Sequence, residues 1–467
     1  MTRRELLSGL AGAPLLSAAA PKTPNIVLVL TDDQGYGDLS CHGNPILRTP
    51  NIDRLHSESV RFTDFHASPT CAPTRTALMT GRHEFKSGVT HTVFERERMS
   101  LRSVTIAQVL QKAGYRTGIF GKWHLGDAAE YQPNRRGFHE MFIHGCGGIG
   151  QQYKGTCSDV PGNSYFNPVI RHNNRFEKTE GYCTDVFFQQ ATDWIGEQAR
   201  ARRPFFAYIT PNAPHEPLNV PEEYRSMYAD KVDEKTTRFF GMIANIDENV
   251  GKLLDSLKQL GVERDTLFMF MTDNGGTGGV RVFNAGMRGA KNTPYHGGTR
   301  VPLFMRWPGV FEAGDRGALA AHIDLFPTLA ELAGAKTPSN VKLDGRSLVP
   351  LLRDKNAQWP DRYLFTHVGR WDAGKAAESK YSRCSVHSAQ YNMVNLKPER
   401  AWELYDLKAD PAESHDVAAA RPEVVKRMDA AYDAWWSEVL PLLVNEDATP
   451  PAIPPYKQLW EKQQSGH

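Results

Sequence analysis

The stretch Ile26-Val27-Leu28-Val29-Leu30-Thr31-Asp32-Asp33-Gln34-Gly35 decides the fold, because an unbroken apolar run ends in two adjacent carboxylates. Such a run fits a strand buried on both faces, as in a parallel sheet. Three further segments share this grammar. Thr117-Gly118-Ile119-Phe120 runs into Gly121-Lys122-Trp123-His124, and Phe205-Phe206-Ala207-Tyr208-Ile209 leads to Pro214-His215. Leu267-Phe268-Met269-Phe270-Met271 leads to Asp273-Asn274-Gly275-Gly276. Helical patterns lie between them, one from Ser103 to Ala113 and a clearer one from Met242 to Leu260. The second carries Ile243, Ile246, Val250, Leu253, Leu257 and Leu260 at three-to-four spacing. Alternating strands and helices predict an α/β fold, a large and mostly parallel sheet sandwiched by helices. Ligands gather at the carboxyl ends of the strands in such folds, so the four polar segments are expected to converge.

The chain has 467 residues, enough for one large domain and a smaller one. Its composition, 40% hydrophobic and 23% charged, is that of a soluble globular protein. A formal net charge of +2 gives no bulk electrostatic case for nucleic acid or a membrane surface, so an anionic substrate needs local cations. Residues 1–20 open with Thr2-Arg3-Arg4-Glu5-Leu6-Leu7 and continue as an apolar, small-residue run to Ala20. That is the anatomy of an export signal, and the Arg pair suggests the twin-arginine type. The expected location is therefore periplasmic or extracellular. No other segment is long and apolar enough to cross a bilayer, so an integral membrane protein is not expected.

Breaks at Thr337-Pro338-Ser339 and Lys355-Asn356-Ala357-Gln358-Trp359-Pro360 predict a catalytic domain over 23–350 and a C-terminal subdomain over 360–467. The subdomain reads as α+β with a short antiparallel sheet. Strands are expected around Tyr363 to Phe365 and Tyr391 to Val394, then Leu404-Tyr405-Asp406-Leu407 and a helix from Glu423 to Leu440. From Thr449 the tail is Pro-rich, then polar, and is expected to wrap the surface or fray.

Asp32 and Asp33 repel each other unless a cation lies between them. Asp273 and Asn274 add a carboxylate and an amide oxygen, completing an all-oxygen set suited to calcium or magnesium. The six cysteines, Cys41, Cys71, Cys146, Cys157, Cys183 and Cys384, form no CxxC zinc or redox motif. Cys146 and Cys157 are the closest pair in sequence, which by itself assigns no bond. Cys71 opens the run Cys71-Ala72-Pro73-Thr74-Arg75-Thr76-Ala77-Leu78-Met79-Thr80-Gly81-Arg82. Pro73 favours a helix start there, and a helix N-terminus stabilises developing negative charge. Arg75 lies one turn further on. Lys122 and His124 alternate on an extended segment and so are expected to face the same way. His215 lies in Pro-His-Glu-Pro, and Lys291 opens Lys-Asn-Thr-Pro-Tyr-His-Gly-Gly-Thr-Arg-Val-Pro. Two lysines can balance an anion, and two histidines can move protons near neutral pH.

The Cys71 to Arg82 run resembles the modification signature of the type I, formylglycine-dependent sulfatases of the alkaline phosphatase superfamily. The other segments fall in the same order, from about residue 24 to Leu404-Tyr405-Asp406-Leu407-Lys408-Ala409-Asp410-Pro411. Ile323-Asp324-Leu325-Phe326-Pro327-Thr328-Leu329 and Asp344-Gly345-Arg346-Ser347-Leu348 resemble the family too. The resemblance implies an alkaline-phosphatase-like fold and oxidation of Cys71 to formylglycine by a formylglycine-generating enzyme. The hydrated aldehyde then attacks the sulfur of a sulfate ester. It also implies one calcium ion held by Asp32, Asp33, Asp273, Asn274 and modified Cys71. Asp273 would help deprotonate the attacking hydroxyl, and Arg75 would orient the hydrated aldehyde. Lys122, Lys291 and His215 would hold sulfate, His215 would protonate the leaving alcohol, and His124 would deprotonate the second hydroxyl. The metal withdraws charge, and the covalent step divides one difficult hydrolysis into two.

Thr74 stands where the family more often has Ser, which bears on recognition by the maturing enzyme. His296 stands where it often has Glu before Gly-Gly, which bears on subsite shape. The expected activity is that of an exported sulfatase acting on a sulfated carbohydrate or aryl sulfate. His144, Arg370 and Trp371 are candidates to line a sugar pocket, Trp371 equally suiting domain-interface core. The alternatives are a phosphonate or phosphate-ester hydrolase of the same superfamily and a catalytically silent binder of sulfated glycans. The full set of acid–base residues argues against the silent binder.

Overall fold

The four apolar runs form the centre of a ten-stranded sheet, seen in a computed structural model that describes residues 23–153, 155 and 157–466. The expected export signal lies outside the described residues. Five strands stand side by side in the order Thr266–Thr272, Asn25–Thr31, Phe205–Thr210, Arg116–Lys122 and Glu140–His144, every pairing parallel. Alternate residues of the Asn25–Thr31 strand enter opposite cores. Ile26, Leu28 and Leu30 join Leu78, Met79 and Phe326 on one face, and Val27 and Val29 join Phe187, Ile246 and Val250 on the other. Burial on both faces explains why the run shows no polar alternation. Helices Cys183–Arg200 and Glu234–Gln259 cover the second face. The flanking strands complete a mixed sheet. Leu303–Arg306 runs antiparallel beside Thr266–Thr272, and Val169–His172 runs antiparallel beside Glu140–His144, with Arg175–Lys178 beyond it.

The long helix begins at Glu234 rather than Met242, because the Asp233 side chain accepts the Thr236 amide at 3.2 Å and caps it. Thr236, Thr237 and Gly241 are weak helix formers, which hid these first turns. The shorter helix spans Ile106–Lys112, starting where Thr105 and Gln108 form a capping box.

The C-terminal part is a four-stranded antiparallel sheet of Leu364–His367, Cys384–His387, Tyr391–Asn395 and Glu403–Asp406, packed by helix Pro422–Val439. Trp371 is not a sugar platform. It is buried in the core of this sheet against Phe85, His367 and Trp436, and its Nε1 donates to Glu446.

Of the two expected forms, the tail packs on the rest of the protein rather than fraying, and it does so as a helix. Pro455–Gln464 is a helix with Pro at its first turn, and Tyr456 is fully buried against Phe176. Gln463 exchanges hydrogen bonds with the backbone N and O of Phe176, at 2.7 and 2.8 Å, and so occupies the edge of the Arg175–Lys178 strand. Cys146 and Cys157 are disulfide-bonded, while Cys41, Cys71, Cys183 and Cys384 are free thiols. Among the described residues no helix is long and apolar enough to cross a membrane.

Candidate active site

Strand register builds the site. Thr31 pairs with Thr272, so Asp32 and Asp273 leave adjacent strands side by side, and the Asp273 amide donates to Thr31 O at 3.0 Å. On the other side Gly121 pairs with Thr210, bringing Lys122 to the same sheet edge. Cys71 is the first residue of the wholly buried helix Cys71–Thr80. Asp32, Cys71 and Asp273 each offer a ligand atom within 4.8 Å of the others. The four polar segments thus leave four consecutive strands, Thr266–Thr272, Asn25–Thr31, Phe205–Thr210 and Arg116–Lys122, and three of them place Asp273, Asp32 and Lys122 at one sheet edge. The fourth brings His215 to 3.9 Å from Asp33 Oδ2.

The paired carboxylates have protein cations against them. Lys122 Nζ donates to Asp32 Oδ2 at 2.6 Å with both side chains fully buried, and Lys291 Nζ donates to Asp33 Oδ1. Asn274 Nδ2 donates to the same Asp33 oxygen at 3.1 Å. Arg75 grips Asp273 Oδ2 through Nε and Nη2, at 3.1 and 2.8 Å, and its Nη1 donates to Lys122 O. Burial raises Asp32 to about 6 despite Lys122. Burial, with the charge of Asp32 added, likewise raises Asp273 to about 6 against the pull of Arg75. Burial also pushes Asp33 upward, but Lys291 and His215 outweigh it and hold that carboxyl below its ordinary range. The Cys71 thiol is pushed up by burial and brought down further by Lys122 and Lys291, so its net shift is downward.

Asp32 Oδ1 and Asn274 Oδ1 are buried and meet no donor among the described residues. Unpaired buried acceptors are costly. Two bare hard oxygens beside Asp33, Asp273 and Cys71 suit an oxygen-preferring divalent cation such as calcium. In the unmodified chain Cys71 Sγ stands in for the oxygen that a formylglycine would present.

His124 departs from the expected alternation. Its φ of 59° takes it out of extended geometry, and Nε2 meets Thr92 O at 2.8 Å. A carbonyl can only accept, so Nε2 carries the hydrogen, and the buried Nδ1, without a partner among the described residues, keeps the lone pair. Burial, reinforced by Lys122, holds this ring well below the usual histidine range. Burial also lowers His215, opposed by Asp33.

The Lys291 segment is tied to the rest of the site by its backbone. The Lys291 amide donates to Gly276 O at 3.2 Å and the Asn292 amide to Pro69 O at 3.0 Å. A Cβ on Gly275 would stand 2.0 Å from Gly297 O, so only glycine allows this approach.

Two supporting residues escaped the sequence reading. Thr92 fixes His124, and the Tyr165 hydroxyl donates to Asn212 O at 3.2 Å and His215 O at 2.5 Å, holding the His215 loop. Both lie in irregular segments without periodicity, and no local signal marks them. Thr74 is buried and donates to Ser68 O. Arg370 donates to Thr92 Oγ1 at 2.9 Å, next to the anchor of His124, whereas His144 is buried with Nδ1 on Gly145 O. A cavity of about 340 Å³ lies towards the C-terminal sheet, lined by His66, Ser68, His322 and Arg362 among others, and none of the ten candidate residues lines it.

A mostly parallel sheet between helices, with an acidic cluster at its carboxyl edge, is the alkaline-phosphatase-like architecture. The family model for sulfatases matches residues 24–335, and that for the N-sulphoglucosamine sulphohydrolase C-terminal region matches residues 290–432. The chain is 34% identical over 391 residues to N-acetylgalactosamine-6-sulfatase of Mus musculus, covering 78% of this chain and 73% of that protein. It is 34% identical over 475 residues to arylsulfatase A of Homo sapiens, covering 91% and 89%. The solved structure of Ps i-CgsB in complex with k-i-k-neocarrahexaose superposes with a TM-score of 0.81 at 27% identity, covering 95% of this chain and 98% of that one. The phosphonate monoester hydrolase of Agrobacterium radiobacter, at 22% identity and a TM-score of 0.63, shares the fold. The chain belongs to the sulfatase family of the alkaline phosphatase superfamily and is a sulfuric ester hydrolase.

Proposed function

We propose that this is an exported sulfatase that removes sulfate from carbohydrates, using formylglycine at position 71 and one calcium ion. The observation that carries the reading is the pair of bare, buried oxygens, Asp32 Oδ1 in the cluster with Cys71 and Asp273, and Asn274 Oδ1 on the side chain that donates to Asp33. Asp32, Asp33, Asp273, Asn274 and the modified residue 71 would hold the ion, which when bound withdraws charge from sulfate and nucleophile. Lys122 and Lys291 neutralise the sulfate. Arg75 fixes Asp273, which receives the proton of the attacking hydroxyl of hydrated residue 71. As the new oxygen–sulfur bond forms, the ester oxygen–sulfur bond breaks and His215 gives a proton to the leaving alcohol. Nδ1 of His124 then takes the proton of the remaining hydroxyl, sulfate departs and the aldehyde is regenerated.

A carbohydrate substrate is supported by two relatives, an N-acetylgalactosamine-6-sulfatase and the Ps i-CgsB structure holding a neocarrahexaose. Export is supported by the charged, then apolar residues 1–20. We take residues 23–350 as the catalytic domain and 360–467 as the subdomain, a division supported by the four-stranded sheet starting at Leu364.

The test is mass spectrometry of the Cys71 peptide from protein made with and without a formylglycine-generating enzyme. Conversion to the aldehyde is expected, with sulfatase activity only in converted protein. An unmodified thiol despite a competent maturing enzyme would overturn the nucleophile assignment.

A further inference from the structure

Away from the oxygen-rich cluster, three histidines from distant parts of the chain meet at one buried point. His66 ends the Phe65–His66 strand, His296 opens the His296–Thr299 turn of helix, and His387 ends the Cys384–His387 strand of the small sheet. Their rings stand 4.2 Å (His66 and His387), 5.1 Å (His296 and His387) and 5.3 Å (His66 and His296) apart, centroid to centroid. One nitrogen from each lies within 4.8 Å of the other two, and all three residues are buried. His296 Nε2 faces His387 Nε2 at 3.4 Å. Two nitrogens at about 2.0–2.1 Å from a tetrahedral zinc ion stand about 3.3–3.4 Å apart.

We propose that His66, His296 and His387 form a second metal site, selective for a borderline transition ion such as zinc, that clamps the C-terminal sheet to the catalytic core. Three imidazole nitrogens suit zinc, copper or nickel, whereas calcium prefers oxygen. Burial holds all three rings neutral, so none has to lose a proton before an ion binds. Asp64 Oδ1, 2.9 Å from His66 Nε2, orients that ring as outer carboxylates orient metal ligands, and leaves Nδ1 to face an ion in place of the Thr299 hydroxyl, which has Tyr295 O as its other acceptor. The nearby Arg300 is engaged elsewhere, donating to Thr63 O with its guanidinium over the Tyr36 ring. His66 borders the 340 Å³ cavity, which gives an ion a route in.

The connection has a consequence for the active site. His66 precedes Cys71 in one segment, and His296 follows Lys291 in another. An ion held by both and by His387 fixes the Cys71 and Lys291 segments to the small sheet. The site is independent of the formylglycine reading, since it uses none of the ten candidate residues.

The test is titration of the purified full chain with Co²⁺ and Zn²⁺ in saturating calcium. Wild type is expected to take up one equivalent of Co²⁺ with the visible ligand-field bands of a tetrahedral nitrogen site and no thiolate charge-transfer band. Zn²⁺ should displace it and raise the melting temperature. His296→Gln and His387→Gln should each weaken Zn²⁺ binding by about tenfold or more, while Cys71→Ser leaves it unchanged. Wild type alone decides the case if a variant does not fold. No uptake at micromolar Zn²⁺, or a thiolate band that vanishes in Cys71→Ser, would overturn the proposal.

Discussion

Lys122 Nζ and Asp32 Oδ2 form a 2.6 Å ion pair in which neither side chain reaches solvent. With Lys291 on Asp33, this pair lets two adjacent carboxylates share one buried strand end without a metal. The calcium-free protein is therefore expected to stay folded while losing activity. Lys122→Met removes the compensation and should cost about 3–5 kcal/mol in chelator, because it leaves a buried charge unpaired. Added calcium should restore much of that loss by taking the place of the lost cation. Thermal melts of both proteins, with chelator and with calcium, check this. An equal drop for the variant in both conditions would refute the compensation.

The tail helix makes a second expectation. Tyr456 is fully buried between Phe176 and Val160, so Tyr456→Ala should destabilise the protein by about 3–5 kcal/mol, the range for emptying an aromatic site. Gln463→Ala loses only hydrogen bonds to an edge strand and should cost about 1 kcal/mol. Denaturant melts distinguish a docked helix from a frayed tail, for which Tyr456→Ala would change little.

That tail marks the limit of what the sequence told. The central strands were legible because unbroken apolar runs between Gly and Pro have few other solutions. Asp32, Lys122 and Asp273 were legible because they sit where those runs end. The helix over Pro455–Gln464 was not, since its composition is polar and only the packing of Tyr456 and Gln463 on another strand makes it stable. The left-handed turn at His124 was missed for a related reason: tertiary contact with Thr92, not local preference, sets that backbone. Trp371 showed only that a large aromatic was present, and which core it fills depends on a helix some sixty residues away. The three histidines come from segments whose meeting depends on how the small sheet docks, which no local pattern records.

If His215 protonates the leaving alcohol, its loss should matter in proportion to how poor the leaving group is. His215→Gln is expected to slow hydrolysis of a carbohydrate sulfate by about 10²–10⁴, the usual contribution of a general acid. An activated aryl sulfate, whose phenol leaves without help, should be affected far less. Comparing kcat/KM for both substrates in wild type and variant reads the ratio. Equal losses for the two would indicate a role in holding sulfate alone.

Glu84 offers a pH test remote from the oxygen cluster. It is buried, its Oε1 accepts from Ser68 Oγ at 2.8 Å, and its Oε2 has no hydrogen-bond partner among the described residues. His83 and His322 stand 3.6 and 4.0 Å from Oε2, but burial keeps both neutral. Burial therefore raises Glu84 from 4.5 to about 7, against its own backbone amide and Ser68. Between those values the folded protein binds a proton that the unfolded chain has released, so this group makes stability fall as pH rises. The loss is complete above about pH 7 and amounts to about 3 kcal/mol. Glu84→Gln keeps the shape and the acceptor for Ser68 but cannot ionise. Its melting temperature relative to wild type should climb from near parity at pH 4.5 to a maximum above pH 7. A difference that stays flat across that range would show that folding does not raise Glu84 above its ordinary value.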